Sequence, residues 1–305
     1  MRPTLLVILG PTACGKTVVA SECAYRLGGE IISADSRQVF RGMDIGTGKD
    51  LKDYDVHGVH IPYHLIDICN PGEEYSAYRF QNDFIAAFNA IVSQSKVPIL
   101  CGGTGLYIES VVRNYRLSDA PVSSEFRESI KDKSNEELTR RLASLIKLHN
   151  HTDTETRDRL VRALEIAEYQ QQHPDEFPHM PPMRHAIVGI ACPREELVER
   201  IGARLRLRLK SGMVEEVERL LKQGVSEERL LRYGLEYRHL TRYLTGKCTY
   251  AEMEEKLFTD IRRFSKRQMT WFRRMERNGV AIHWIDGTKS LDEKVETAIS
   301  YCQKC

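Results

Sequence analysis

The sequence predicts an α/β fold: a parallel sheet with helices on both faces, interrupted by a small all-helical insertion. Three observations predict it. Short apolar runs alternate with helical patterns over residues 1–118, a glycine-rich turn joins the first run to the first helix, and residues 119–183 turn polar and helix-rich before apolar strand character returns.

Taken in order, residues 5–9 (LLVIL) form the first expected strand, and a helix is expected over 16–27. Residues 30–34 give a second strand, 77–93 a long amphipathic helix and 97–101 a third strand. Helices are expected over 135–148 and 156–171, followed by a proline-loaded linker at 173–182. Strand character resumes at 186–191 and leads into long charged helices. The expected organisation is a core built from 1–118 and 184–305, with 119–183 inserted.

Composition narrows the function classes. The chain has 305 residues, 41% hydrophobic and 29% charged, which suits a globular protein rather than a disordered or fibrous one. No apolar run approaches the ~20 residues of a membrane span, and Gly10-Pro11 breaks the first strand too early for a secretory signal. The 8 cysteines are scattered, as expected of reduced thiols in a cytoplasmic protein. The net charge of +2 hides an asymmetry. Residues 1–118 carry 11 basic and 12 acidic groups, residues 119–183 carry 9 and 13, and residues 184–305 carry 25 and 18. A basic last third suits a polyanionic partner, and charge alone fits a set of solvated helix faces equally well.

The sharpest chemical signal is Gly10-Pro11-Thr12-Ala13-Cys14-Gly15-Lys16-Thr17, which fits G-x-x-x-x-G-K-[ST] between a strand and a helix. Glycines let consecutive amides turn inward around a phosphate chain, and the helix N-terminus adds a partial positive charge. Lys16 supplies a full charge, and the Thr17 hydroxyl suits Mg²⁺. The sheet is therefore expected to be P-loop NTPase-like. Asp35 follows the second strand, and the Gly102-Gly103-Thr104 turn follows the third, so both should reach the crevice at the carboxyl ends of the strands. Cys14, at a helix N-terminus, is a candidate for oxidation.

Residues 10–17, 30–49 (EIISADSRQVFRGMDIGTGK), 61–80 (IPYHLIDICNPGEEYSAYRF), 102–107, 158–165, 200–204 and 264–271 together resemble the tRNA dimethylallyltransferases, in order and along nearly the whole chain. The resemblance implies transfer of the dimethylallyl group of dimethylallyl diphosphate to N6 of the adenosine 3′ to the anticodon, releasing diphosphate. It implies that Lys16, the loop amides, Mg²⁺ near Thr17 and Arg204 stabilise the leaving group. Asp35 would then accept the amine proton, with Thr104 beside the reacting centre. It further places tRNA contacts at Asp35, Ser36, Arg37, Gln38, Thr104, Arg127, Asp158, Arg159, Leu160, Val161, Arg162, Arg262, Arg263, Lys266, Arg267 and Gln268. A monomer working on one tRNA anticodon stem-loop is the expected assembly.

Two segments depart from the family pattern. Gly46-Thr47-Gly48-Lys49-Asp50 replaces a Gly-Thr-Ala-Lys-Pro, and Gly234-Leu235-Glu236-Tyr237-Arg238 replaces a shorter Gly-Tyr-Arg. Arg208 reads as part of a solvated helix face, and Trp271 and Phe272 read as core. His57, His60 and His64, and the terminal Cys302 and Cys305, are not expected to bind metal. Three other functions share part of these features. A P-loop small-molecule kinase would need no basic last third, an adenylate isopentenyltransferase would take a free nucleotide, and an RNA-binding module would need neither Lys16 nor Asp35.

Overall fold

The computed structural model describes residues 3–146, 154–173 and 177–304. By contact clustering the chain divides into two compact units, one made of Met1–Asn114 with Met180–Cys305 and the other of Tyr115–His179. The second unit thus begins and ends four residues earlier than the 119–183 read from composition, because the apolar Met180 and Met183 pack on the core of the first unit.

The larger unit starts with β1 (Thr4–Leu9), α1 (Lys16–Leu27) and β2 (Gly29–Ala34), then a short antiparallel pair, β3 (Asp55–Val56) and β4 (Val59–His60). β5 (Tyr63–His64), α2 (Ala77–Ser93), β6 (Val97–Gly102) and α3 (Gly105–Val112) complete its first half. In the smaller unit, α4 (Ser124–Ser129), α5 (Asn135–Leu145) and α6 (Arg157–Gln172) pack around Leu138, Leu142, Leu160 and Leu164. The expected end of the second of these helices, residues 147–148, lies outside the described residues, as do Cys305 and part of the proline-loaded linker.

The larger unit resumes with β7 (Arg184–Ala191), α7 (Arg194–Lys210), α8 (Met213–Lys222), α9 (Glu227–Leu230) and α10 (Leu235–Leu244). The 28-residue α11 (Tyr250–Arg277), β8 (His283–Asp286) and α12 (Leu291–Lys304) end the chain.

Six strands form one parallel sheet in the order β5-β2-β6-β1-β7-β8. Both faces are covered, so β1 is an unbroken apolar run rather than an alternation. Leu5, Val7 and Leu9 point into one core with Phe80, Phe84 and Phe88 of α2. Leu6 and Ile8 point into the other, with Val19 and Cys23 of α1 and Ile201 and Leu205 of α7. The helices begin where polar side chains take up free amides: Ser76 accepts from the Arg79 N–H, and Thr249 with Glu252 forms a capping box for α11. Because β2, β6 and β1 are adjacent, the loops leaving their carboxyl ends open on the same side.

Candidate active site

The loop after β1 is built for anions. Ala13 and Gly15 have φ of 65° and 82°, a left-handed pair that turns the loop before α1 starts at Lys16. Gly10 is also required: a Cβ there would lie 2.7 Å from Cys14 Sγ and 2.8 Å from the Ile190 carbonyl. Cys14 is itself fully buried, so the oxidation expected from its helix-terminal position is blocked by packing. Lys16 Nζ reaches the Pro11 carbonyl at 3.5 Å, curled over the loop.

Two residues distant in sequence lock this loop. Gln268 of α11 accepts from the Thr12 N–H at 2.8 Å and donates to the Gly103 carbonyl at 2.9 Å, strapping the β1 loop to the β6 loop. Its amide thus acts as a strut, with a second lone pair and a second N–H still free at the cavity it lines. Arg204 of α7 donates to the Thr12 hydroxyl. Burial and the neighbouring Arg208 cation push the Arg204 guanidinium pKa down, so its charge is held at a cost that an anion would relieve.

The β2 loop brings a carboxylate, Asp35. Asp35 Oδ1 accepts from the Arg37 N–H at 2.8 Å, fixing the carboxylate by a local turn. Thr104 Oγ1 accepts from the Ser36 N–H at 3.1 Å, and its own amide donates to the Ala34 carbonyl at 3.1 Å, so the β6 and β2 loops are stitched together. Gln38 accepts from Ser33 Oγ at 3.0 Å and donates to the Gly48 carbonyl at 3.0 Å, which fixes the orientation of its amide at the cavity wall.

One cavity of about 580 Å³ takes in most of these groups. Thr12, Lys16, Thr17, Asp35, Thr104 and Arg204 line it, and so do Ser36, Arg37, Gln38, Arg267 and Gln268. Gly10, Pro11 and Cys14 stand behind its wall. Arg262, Arg263, Lys266 and Arg267 are exposed along α11, as are Arg273 and Arg277 beyond them.

Within the smaller unit, two of the expected tRNA contacts are turned inward. Leu160 and Val161 are buried in its apolar core, and a leucine or valine there has no surface to offer RNA. Arg162 donates to the Ala120 carbonyl at 2.6 Å and, with Arg127, grips the buried Glu165. Burial alone would raise the Glu165 pKa, but these two guanidinium groups and the Ser123 amide outweigh it and hold it low. Asp158 and Arg159 are exposed.

The sequence reading missed a second set of groups. Arg208 is not on a solvated face: it is 9% exposed, lines the cavity and donates to Asp50 Oδ2 at 2.6 Å. Asp53 and Glu236 line the same end, and burial raises the pKa of both carboxyls. Trp271 lines the cavity, packed tightly under Gly105 with Arg274 stacked 4.0 Å from its ring centroid, whereas Phe272 is core as expected. The two segments that depart from the family pattern, 46–50 and 234–238, meet here. The three histidines pair with carboxylates instead of converging: His57 with Glu22, His60 with Asp55 and His64 with Glu30.

A family model described as IPP transferase matches residues 38–275. The chain belongs to the IPP transferase family. It is 51% identical over 296 residues to a protein of Phocaeicola vulgatus named tRNA dimethylallyltransferase 2, covering 97% of this chain and 96% of that one. It is 52% identical to a protein of the same name from Bacteroides fragilis, with 95% of each chain covered. A solved structure, the full-length tRNA isopentenylpyrophosphate transferase from Bacillus halodurans, has 30% identity and a TM-score of 0.73, covering 100% of this chain and 98% of that one. The parallel sheet with surrounding helices is therefore that of the IPP transferases, and this chain is a prenyl transferase by family.

Proposed function

We propose that this IPP transferase moves the dimethylallyl group of dimethylallyl diphosphate onto N6 of the adenosine 3′-adjacent to the anticodon in tRNA, giving N6-isopentenyladenosine and diphosphate. One observation carries the reading: a phosphate-cradling loop and a fixed carboxylate, Asp35, line a single cavity of about 580 Å³. A leaving diphosphate and an entering nucleophile need that arrangement.

The chemistry follows from charge. Breaking the allylic C–O bond leaves positive charge on carbon and a growing anion on oxygen, so stabilising the anion lowers the barrier. Lys16, the loop amides and Arg204 meet that anion. The hydroxyl of Thr17 on the first turn of α1 offers a hard oxygen donor that fits Mg²⁺. Mg²⁺, when bound, supplies further neutralisation of the diphosphate.

The exocyclic amine is a weak nucleophile until its proton has somewhere to go. Asp35 accepts that proton as the nitrogen lone pair forms the new N–C bond. Thr104 holds the Asp35–Ser36 turn in register through the Ser36 amide. An anticodon-loop base can be splayed into such a cavity at a cost of a few kcal/mol. The exposed cations of α11 then hold the phosphate backbone outside. All these groups come from one chain, and tRNA is the substrate, so a monomer in the cytoplasm is the proposed working form.

The test is transfer of label from dimethylallyl diphosphate to an unmodified anticodon stem-loop or to free AMP, by wild type and Asp35→Asn. Label in the stem-loop alone, lost in Asp35→Asn while diphosphate still binds, is expected. Label in AMP alone contradicts the RNA substrate, and unchanged turnover in Asp35→Asn removes Asp35 as the base.

A further inference from the structure

Arg208 stands one helical turn beyond Arg204 on α7, about 6 Å along the axis, with its side chain only 11% exposed. Its guanidinium lies against the backbone of Gly48, where a Cβ would come within 2.6 Å of Nη2. Gly48 has φ of 71° as well, so this position both turns the loop and leaves room for Arg208.

The pairing of the two arginines is incomplete. Among the described residues, Arg208 has one ion-pair partner, Asp50, held at 2.6 Å through a single oxygen. Asp50 is half exposed, at 50%. Among the described residues, the one hydrogen bond of Arg204 goes to a neutral hydroxyl, that of Thr12. Two sheltered guanidinium groups therefore stand on one cavity wall with a single direct ion pair between them, that of Arg208 with Asp50. Each has planar, fork-like donors left over, the geometry that binds phosphate bidentately. Asp53 and Glu236 face the same groups without forming an ion pair with either arginine.

We propose that Arg204 and Arg208 form a two-arginine clamp for the diphosphate of the donor, with Asp50 as the internal anion that holds Arg208 in place until the diphosphate displaces it. The clamp rests on the allylic-diphosphate reading above and adds to it a residue, Arg208, and a competing carboxylate. The two substitutions it singles out have opposite signs. Removing Arg208 weakens diphosphate binding, whereas neutralising Asp50 frees Arg208 and strengthens it.

The experiment is calorimetric titration of the full chain with inorganic diphosphate, comparing wild type, Arg208→Met, Arg208→Lys, Asp50→Asn and Lys16→Ala, with thermal unfolding of each. Arg208→Met is expected to weaken binding roughly 10- to 100-fold, the loss of charge-assisted hydrogen bonds. Arg208→Lys should fall between it and wild type, because an ammonium keeps the charge without the fork. Asp50→Asn is expected to tighten binding about two- to five-fold, the strength of a half-exposed ion pair. If both Arg208→Met and Asp50→Asn weaken binding in parallel, the pair is only a structural tie and the clamp is overturned. If Lys16→Ala loses diphosphate while Arg208→Met does not, the clamp falls and the diphosphate reading stands. Wild type that fails to bind diphosphate overturns both.

Discussion

Glu216 offers the most quantitative test of how the site is held. The residue sits on α8 and is 3% exposed. Its Oε2 accepts from the N–H groups of Asp44 and Ile45, both at 2.8 Å, and its Oε1 accepts from the Gly46 N–H at 3.0 Å and from Tyr237 Oη at 2.6 Å. Four donors thus converge on one carboxylate, which anchors the loop between the Asp35 turn and Gly48. Gly46 has no Cβ because one would lie 2.8 Å from the Tyr237 ring. In Glu216→Gln the shape is kept, but one oxygen becomes an NH₂ that faces two donors. Two hydrogen bonds to a charged acceptor, each about 1.5–3 kcal/mol, are lost, or about 3–6 kcal/mol together. Burying a neutral amide instead of a charge returns part of this, leaving an expected destabilisation of about 3–4 kcal/mol. Equilibrium urea unfolding followed by circular dichroism measures it. A loss below about 1 kcal/mol would show that these donors are satisfied without the carboxylate.

Other consequences can be checked more briefly. Glu236→Gln should stabilise the protein at pH 8 by removing a carboxylate that burial makes hard to ionise. Its raised pKa means that the wild type is penalised only as pH climbs above the ordinary carboxyl value of about 4.3, so the gain should shrink toward pH 5 in thermal melts. A gain independent of pH would contradict this sign. Replacing Arg262 and Lys266 of α11 by Ala together should weaken stem-loop binding and lower the slope of log K against log salt by about 2, measured by fluorescence anisotropy. An unchanged slope would remove these cations from the RNA face. Gln268→Ala should leave the Thr12 amide and the Gly103 carbonyl unpaired, costing about 2–4 kcal/mol of stability and slowing transfer. Stem-loop affinity should hold, and a large loss of it would make Gln268 an RNA contact.

Much of this architecture was readable in the chain because its signals are local. The helices at Lys16–Leu27 and Ala77–Ser93 are found at their expected bounds, since the first opens directly from the Gly-rich turn and the second has a serine cap. The phosphate loop, Asp35 and Thr104 were legible because a parallel sheet brings its carboxyl-end loops together whatever the intervening sequence. What was not legible is non-local. β8 has four residues and becomes a strand only by pairing with β7. Arg208 shows helical spacing and a charge, the mark of a solvated face, yet it is buried because Asp50, 158 positions away, and the bare backbone of Gly48 receive it. The internal bonds of Gln268 and Gln38 were equally invisible, because each joins loops far apart in sequence or folds back on its own. Leu160 and Val161 lay beside charged neighbours, and only the helix register reveals that they point inward. The one available signal was the pair of departures at 46–50 and 234–238, whose meeting at one end of the cavity marks them as coupled.

The loop at residues 10–17 is proposed to hold a leaving diphosphate rather than a phosphoryl donor. The most direct measurement is the product balance of one reaction containing dimethylallyl diphosphate, ATP, Mg²⁺ and unmodified anticodon stem-loop. Inorganic diphosphate and prenylated adenosine released in equal amounts, with ATP intact, is the predicted result. Consumption of ATP with no prenylated adenosine would contradict the account.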